Sequence, residues 1–206
     1  MALKFFTFEG GEGSGKSTII KMLEERLTND GYKVISTREP GGVKVAEEIR
    51  EVILKKDNKM SSETEALLYA ASRVEHLKVK VIPYLEDGYI VISDRYLDSS
   101  LAYQGYARDL GIDNVLKINM YALDYLPQRT YFFDVKPEVG LERIKGRDKI
   151  DRLDLESIEF HQKVYDGYQK IAELYPDRIK KIDGKKDIDT IFEEVYQDVL
   201  QVLKNA

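Results

Sequence analysis

Eight residues near the N-terminus, Gly10-Gly11-Glu12-Gly13-Ser14-Gly15-Lys16-Ser17, satisfy the pattern Gly-x-x-x-x-Gly-Lys-Ser/Thr in full. The pattern carries a mechanism only between a strand and a helix. Residues 3–8 are short, apolar and aromatic, as a buried strand is. Residues 17–27 place Ile19, Ile20, Leu23 and Leu27 on one side of a helix. Glycine lets the backbone approach a phosphate closely, and successive N–H groups at a helix N-terminus form an anion nest. Lys16 then reaches the terminal phosphates, Ser17 offers a hydroxyl to Mg²⁺, and Thr18 opens the helix beside them.

The rest of the chain continues the alternation. Strands are expected at 32–36, 89–93, 130–133 and 178–182. Helices are expected at 43–54, 63–82, 99–106, 113–126, 137–144, 157–174 and 188–203, the first turn of 63–82 capped by Ser61 or Ser62. Pro83 is expected to kink or end its helix. Such alternation predicts an α/β fold, a five-stranded, mostly parallel sheet covered on both faces. No linker or repeat interrupts it, so the 206 residues read as one domain. Residues 145–155 are highly charged and read as a short mobile lid.

Several function classes drop out. There is no cysteine, which removes disulfides, thiolate metal sites and thiol nucleophiles. The two histidines, His76 and His161, are too few for a His-rich metal centre. With 32 basic and 37 acidic residues the net charge is −5, which argues against a nucleic-acid polymer as partner but not against a local phosphate site. No apolar run suits a bilayer, and the N-terminus lacks signal-peptide character, so a cytoplasmic protein without membrane contact is expected. The switch and base-reading motifs of regulatory GTPases are absent, and the chain is short for a motor.

Other charged positions follow strand ends, where open α/β sheets bind ligands. Arg38, in Arg38-Glu39-Pro40-Gly41-Gly42, is a candidate for an acceptor phosphate or a surface ion pair. Asp94 is placed to hold Mg²⁺ or its water, Arg95 to neutralise phosphate, and Glu9 to lie near the same ion. Tyr69, Arg73 and His76 share a helical stripe fit either to stack and bond a base or to pack the core. Tyr103 and Gln104 either offer a phenol and an amide to a planar ring or merely precede a glycine, Gly105, that ends a helix. Arg143, Lys145, Arg147, Lys149 and Arg152 suit a lid closing over phosphates and excluding water.

Three motifs, in order and over essentially the whole chain, resemble bacterial thymidylate kinases: residues 8–18, Thr37-Arg38-Glu39-Pro40-Gly41-Gly42, and Asp94-Arg95-Tyr96 followed by Ser99-Ser100-Leu101-Ala102-Tyr103-Gln104-Gly105. The resemblance implies a three-layer P-loop kinase fold and transfer of the ATP γ-phosphoryl group to dTMP with Mg²⁺. It implies that Tyr69 stacks on thymine, where many relatives have Phe, and that Arg73 contacts a base carbonyl. Ser100 and Gln104 would lie on the pyrimidine edge, and Tyr103 would crowd the ribose 2′ position. Arg38 and Arg95 would hold the monophosphate, and Glu9 would stand near the 3′-hydroxyl or metal-bound water. The phosphate loop carries Glu12, Gly13 and Ser14 but no arginine, so Arg147 and Arg152 resemble the lid arginines of one class of relatives, with Arg143 in reserve. A homodimer is also implied. The alternatives are a kinase for another pyrimidine nucleoside monophosphate and a regulatory P-loop ATPase.

Overall fold

Five apolar runs become five parallel strands: β1 (Phe5–Glu9), β2 (Val34–Arg38), β3 (Ile90–Asp94), β4 (Arg129–Asp134) and β5 (Ile179–Asp183). The computed structural model describes residues 4–145 and 151–205. Strand order is β2-β3-β1-β4-β5. Phe5 of β1 stands beside Val91 of β3, and Phe6 beside Arg129 of β4. The chain therefore reverses direction across the sheet at β1, the place where such sheets open a crevice at their carboxyl ends. All five strands end in charged residues: Glu9, Arg38, Asp94, Asp134 and Asp183.

The central strands β1, β3 and β4 are buried on both faces and read as apolar runs, whereas the edge strands β2 and β5 are only partly buried. Phe6, Phe8, Ile92, Tyr131 and Phe133 pack on α1 (Lys16–Asn29) and on a C-terminal helix through Leu23, Leu27, Val195 and Val199. Phe5, Val91 and Phe132 face the other way, against Leu77, Val81, Leu101, Tyr168 and Ile171.

α2 (Lys44–Leu54) follows β2. α3 (Ser62–His76) is capped by Ser61, whose hydroxyl accepts the Thr64 N–H at 3.2 Å. Pro83 does not end the helical run. A π turn at Leu77–Val81 comes first, with the Ile82 N–H bonded five residues back to the Leu77 carbonyl, and α4 (Ile82–Glu86) continues. Pro83 falls in the first turn of α4, where a missing N–H removes no helical bond.

After β3, α5 (Leu97–Ser100) runs into a second π segment, Leu101–Ala107. The expected helix over 113–126 is two pieces, α6 (Ile112–Ile118) and a 3₁₀ turn, Met120–Tyr125. Asn119 breaks it: its amide nitrogen bonds the Val115 carbonyl, and its amide oxygen accepts from Arg73. α7 (Pro137–Ile144), α8 (Ile158–Leu174) and α9 (Ile188–Lys204) complete the described elements. Ser157 caps α8 and Asp187 caps α9. Among the described residues no helix is long and apolar enough to cross a membrane.

Candidate active site

A cavity of about 600 Å³ opens at the carboxyl ends of β1, β2 and β3, lined by the glycine loop, Arg38, Tyr69, Arg73, Asp94, Arg95, Tyr103, Gln104 and Arg143. At one end, Gly10, Gly13 and Gly15 all have positive φ, which glycine adopts without a Cβ penalty. Gly13 also passes so near α7 that a Cβ on it would lie 2.2 Å from the Gly140 carbonyl oxygen. The Lys16 ammonium is folded back into the loop, donating to the carbonyls of Gly10 and Gly11, each at 3.0 Å, and to Ser14 Oγ at 3.1 Å. Burial, then the charge of Arg95, lowers its pKa to about 8. A phosphate would accept those hydrogen bonds and raise it again.

At the loop's far end Ser17 Oγ donates to Asp94 Oδ2 at 3.0 Å. A hydroxyl and a carboxylate are hard oxygen donors, a fit for Mg²⁺ completed by substrate phosphates and water. No group of three or more acidic, His or Cys side chains able to form an all-protein cage occurs among the described residues.

Arg95 occupies the left-handed region at φ 70°, a strain that a non-glycine residue keeps only where its surroundings enforce it. Its N–H bonds the Phe8 carbonyl, while its guanidinium donates to Glu12 at 2.5 Å and to the Tyr168 hydroxyl at 3.1 Å. The same guanidinium lies 5.4 Å from the centre of the Tyr103 ring. Burial pushes the Tyr103 phenol up to about 12, so it stays a neutral donor. Glu9 stands behind this group rather than on the cavity wall. Its carboxylate accepts from the Tyr96 N–H at 2.7 Å, from Ser99 Oγ at 2.6 Å and from Tyr168 Oη at 2.9 Å. Burial, helped by Asp98, raises its pKa to about 7. The hydrogen bonds of Glu9 thus run to the supports of Arg95, whereas Ser17 and Asp94 bond each other.

The opposite end carries aromatic and amide groups. Tyr69, Arg73, Tyr103 and Gln104 line it, the last two carried by the π segment, a distortion common at functional sites. Arg73 is fully buried and held by Glu39, Ser100, Asn119 and the Tyr96 carbonyl. Ser100 stands behind Arg73 rather than on the wall. His76 is structural, bonded to Glu39 at 2.9 Å and to Thr37 at 2.8 Å. Arg38 leans away on Glu47, at 2.8 and 2.9 Å.

Of the expected lid arginines, Arg147 lies outside the described residues. Arg152 is not at the loop: it donates to the Ile53 carbonyl at 2.8 Å and to buried Glu65 at 2.6 Å. Arg143 is the one at the loop, bonding the Gly13 carbonyl at 3.2 Å. Sequence reasoning missed Glu39, Glu47, Glu65 and Tyr168. Glu39 lay within a quoted motif and its place there was a usable signal. Tyr168 meets Glu9 from 159 positions away, a pairing with no local signature.

Comparison with known proteins agrees with this geometry. A family model described as thymidylate kinase matches residues 8–195. The thymidylate kinase of Clostridium novyi (strain NT) is 55% identical over 195 residues, covering 93% of this chain and 95% of that one. That of Bacillus velezensis is 52% identical over 206 residues, covering 98% and 95%. The crystal structure of the Ehrlichia chaffeensis thymidylate kinase superposes with a TM-score of 0.78 at 34% identity, covering 96% of this chain and 97% of that one.

Proposed function

The chain belongs to the thymidylate kinase family and is an ATP-dependent dTMP kinase, and within that reaction we propose a role for each side of the cleft. ATP phosphates lie in the loop of residues 10–18, where Lys16 exchanges its carbonyl partners for phosphate oxygens. Arg38 and Arg95 hold the dTMP phosphate. Tyr69 stacks on thymine, with Arg73, Gln104 and Ser100 on or behind its polar edge. Tyr103 crowds a ribose 2′-hydroxyl. Glu9 positions Arg95 through Tyr168 and Ser99.

The observation that carries this reading is the union, in one cavity, of the loop with Lys16 and a second pocket walled by Arg73, Arg95, Tyr69 and Gln104. Two ligands then meet end to end. No covalent intermediate is needed, and an ionised monophosphate needs no strong base, since its second pKa is near 6. Positioning and electrostatics carry the reaction. Mg²⁺, held by Ser17 with Asp94, would neutralise charge on the ATP phosphates. Arg143, Arg152 and Arg147 are the candidates to meet charge on the transferring group.

We further read the chain as one domain with a lid at about 145–155, acting in the cytoplasm as a homodimer without nucleic-acid polymer. Exposed Leu67, Val79, Met120 and Tyr121 offer apolar surface for a second copy. The test is dTDP formation beside ADP release, with dTMP, dCMP, dAMP and dGMP at matched concentrations. Turnover of dTMP should be fastest; equal rates with a purine acceptor would remove the base-pocket assignment, and ADP without dTDP would remove the acceptor roles altogether.

A further inference from the structure

Glu65 takes no place on the cavity wall, yet three side chains converge on its buried carboxylate. Gln104 Nε2 donates at 2.9 Å, Arg152 Nη2 at 2.6 Å and Arg108 Nη2 at 3.2 Å. Burial alone would raise its pKa, but Gln104, Arg108 and Arg152 outweigh burial and hold it below the usual carboxylate value. An ionised carboxylate only accepts hydrogen bonds. The Gln104 amide must therefore turn its NH₂ toward Glu65 and its carbonyl oxygen the other way, and Gln104 lines the cavity.

The consequence is chemical. Of the five N–H groups of a guanidinium, Arg73 commits four to Glu39, Ser100, Asn119 and the Tyr96 carbonyl, which leaves one. Arg73 thus has one donor left and Gln104 one acceptor to turn toward the base edge. A thymine or uracil edge carries the matching pair, a 4-carbonyl and an N3–H. A cytosine edge carries the reverse, a 4-amino group and an unprotonated N3. We propose that Glu65 is the specificity-determining positioning residue of the acceptor pocket, acting through Gln104 to select a ring with an N3–H over one without. The inference rests on the assignment of Gln104 to the base edge. The carboxylate also pairs with Arg108 and Arg152; an amide at position 65 accepts or donates, and no longer fixes Gln104.

The test is kcat and KM for dTMP, dUMP and dCMP in wild type, Glu65→Gln, Gln104→Met and the double variant, each checked for folding by circular dichroism. Glu65→Gln should lower the dTMP:dCMP ratio of kcat/KM about 10- to 100-fold, mostly through KM. The dTMP:dUMP ratio should hold, because both rings carry the N3–H. In the Gln104→Met background the further change Glu65→Gln should leave the dTMP:dCMP ratio where it is. An equal loss for all three acceptors in Glu65→Gln would make Glu65 a merely structural residue, and an unchanged dTMP:dCMP ratio would equally overturn its role. If Gln104→Met alone leaves that ratio intact, the base-edge assignment fails and the inference falls with it. If Gln104→Met collapses the ratio and Glu65→Gln does not, only the inference falls.

Discussion

Glu9→Gln is expected to make the protein more stable at alkaline pH. Glu9 is fully buried, and burial together with Asp98 raises its pKa from 4.5 to about 7, against the pull of Arg95, Ser99 and the Tyr96 N–H. Below pH 4.5 both folded and unfolded chains carry the protonated acid. Between 4.5 and 7 the unfolded chain releases its proton and the folded chain keeps it, so the contribution of this group falls as pH rises and is lost above 7. The span from 4.5 to about 7, at about 1.36 kcal/mol per pH unit, amounts to about 3 kcal/mol. Glutamine imitates the protonated form: its oxygen still accepts the Tyr96 N–H and its nitrogen donates to a neighbouring hydroxyl. Urea unfolding of both proteins at pH 5 and pH 8 measures the difference. The variant should gain about 1–3 kcal/mol over wild type at pH 8 and little at pH 5. An equal offset at the two pH values, or a larger gain at pH 5, would refute the claim that the ionised carboxylate is the strained form.

Three further outcomes follow from the same geometry. Gly140→Ala should raise KM for ATP and cost about 1–3 kcal/mol in thermal unfolding, because its Cβ would meet the Glu12 carbonyl oxygen at 2.1 Å and that backbone must retreat; unchanged KM and Tm would refute the close approach. Arg152→Lys keeps charge but loses the planar fork. Single-turnover dTDP formation should fall about 10²- to 10³-fold with smaller loss of ATP-analogue binding, whereas near-normal transfer would shift the role to Arg143 at the Gly13 carbonyl. Tyr103→Ala should narrow the kcat/KM gap between deoxyribo- and ribo-monophosphates, while Tyr103→Phe should keep it; an unchanged gap in the alanine variant would place the discrimination elsewhere.

The legible part of this protein is local. The glycine loop announced itself because its chemistry needs consecutive residues, and the central strands did because burial on both faces makes them largely apolar. Strand ends slid toward the C-terminus: β2 was expected at 32–36 and forms at Val34–Arg38. The ladder pairs backbones, so Arg38 beside Asp94 extends it whatever their side chains prefer. The helix break at Asn119 was invisible because its cause is a hydrogen bond from Arg73, 46 positions away. Pro83 misled for the opposite reason, a local rule absorbed by a π turn. Two acids that organise the site, Glu47 and Glu65, look in sequence like any solvated carboxylates, since their partners come from other elements.

Acids also pair with the cations in and beside the cleft. Arg38 is paired with Glu47, Arg95 with Glu12, and Arg152 with Glu65, while Lys16 is wrapped by loop carbonyls. Each is a cation proposed above to meet a phosphate; Arg95, Arg152 and Lys16 are largely buried, and a buried cation left alone would cost several kcal/mol, whereas Arg38 is exposed. A phosphate that reaches these groups therefore has to replace a carboxylate or carbonyl partner. The consequence is that phosphate binding is an exchange of partners rather than a gain of new ones, so each arginine contributes less to ground-state affinity than its contacts in a complex would suggest. Exchange favours whichever anion carries more charge, and charge on the transferring group and its neighbours is what changes during reaction. Residues that give up an internal carboxylate only when that charge develops would then add to kcat rather than to binding. Arg152, bound most deeply to a fully enclosed acid, meets that condition better than Arg38, whose pair with Glu47 is open to solvent.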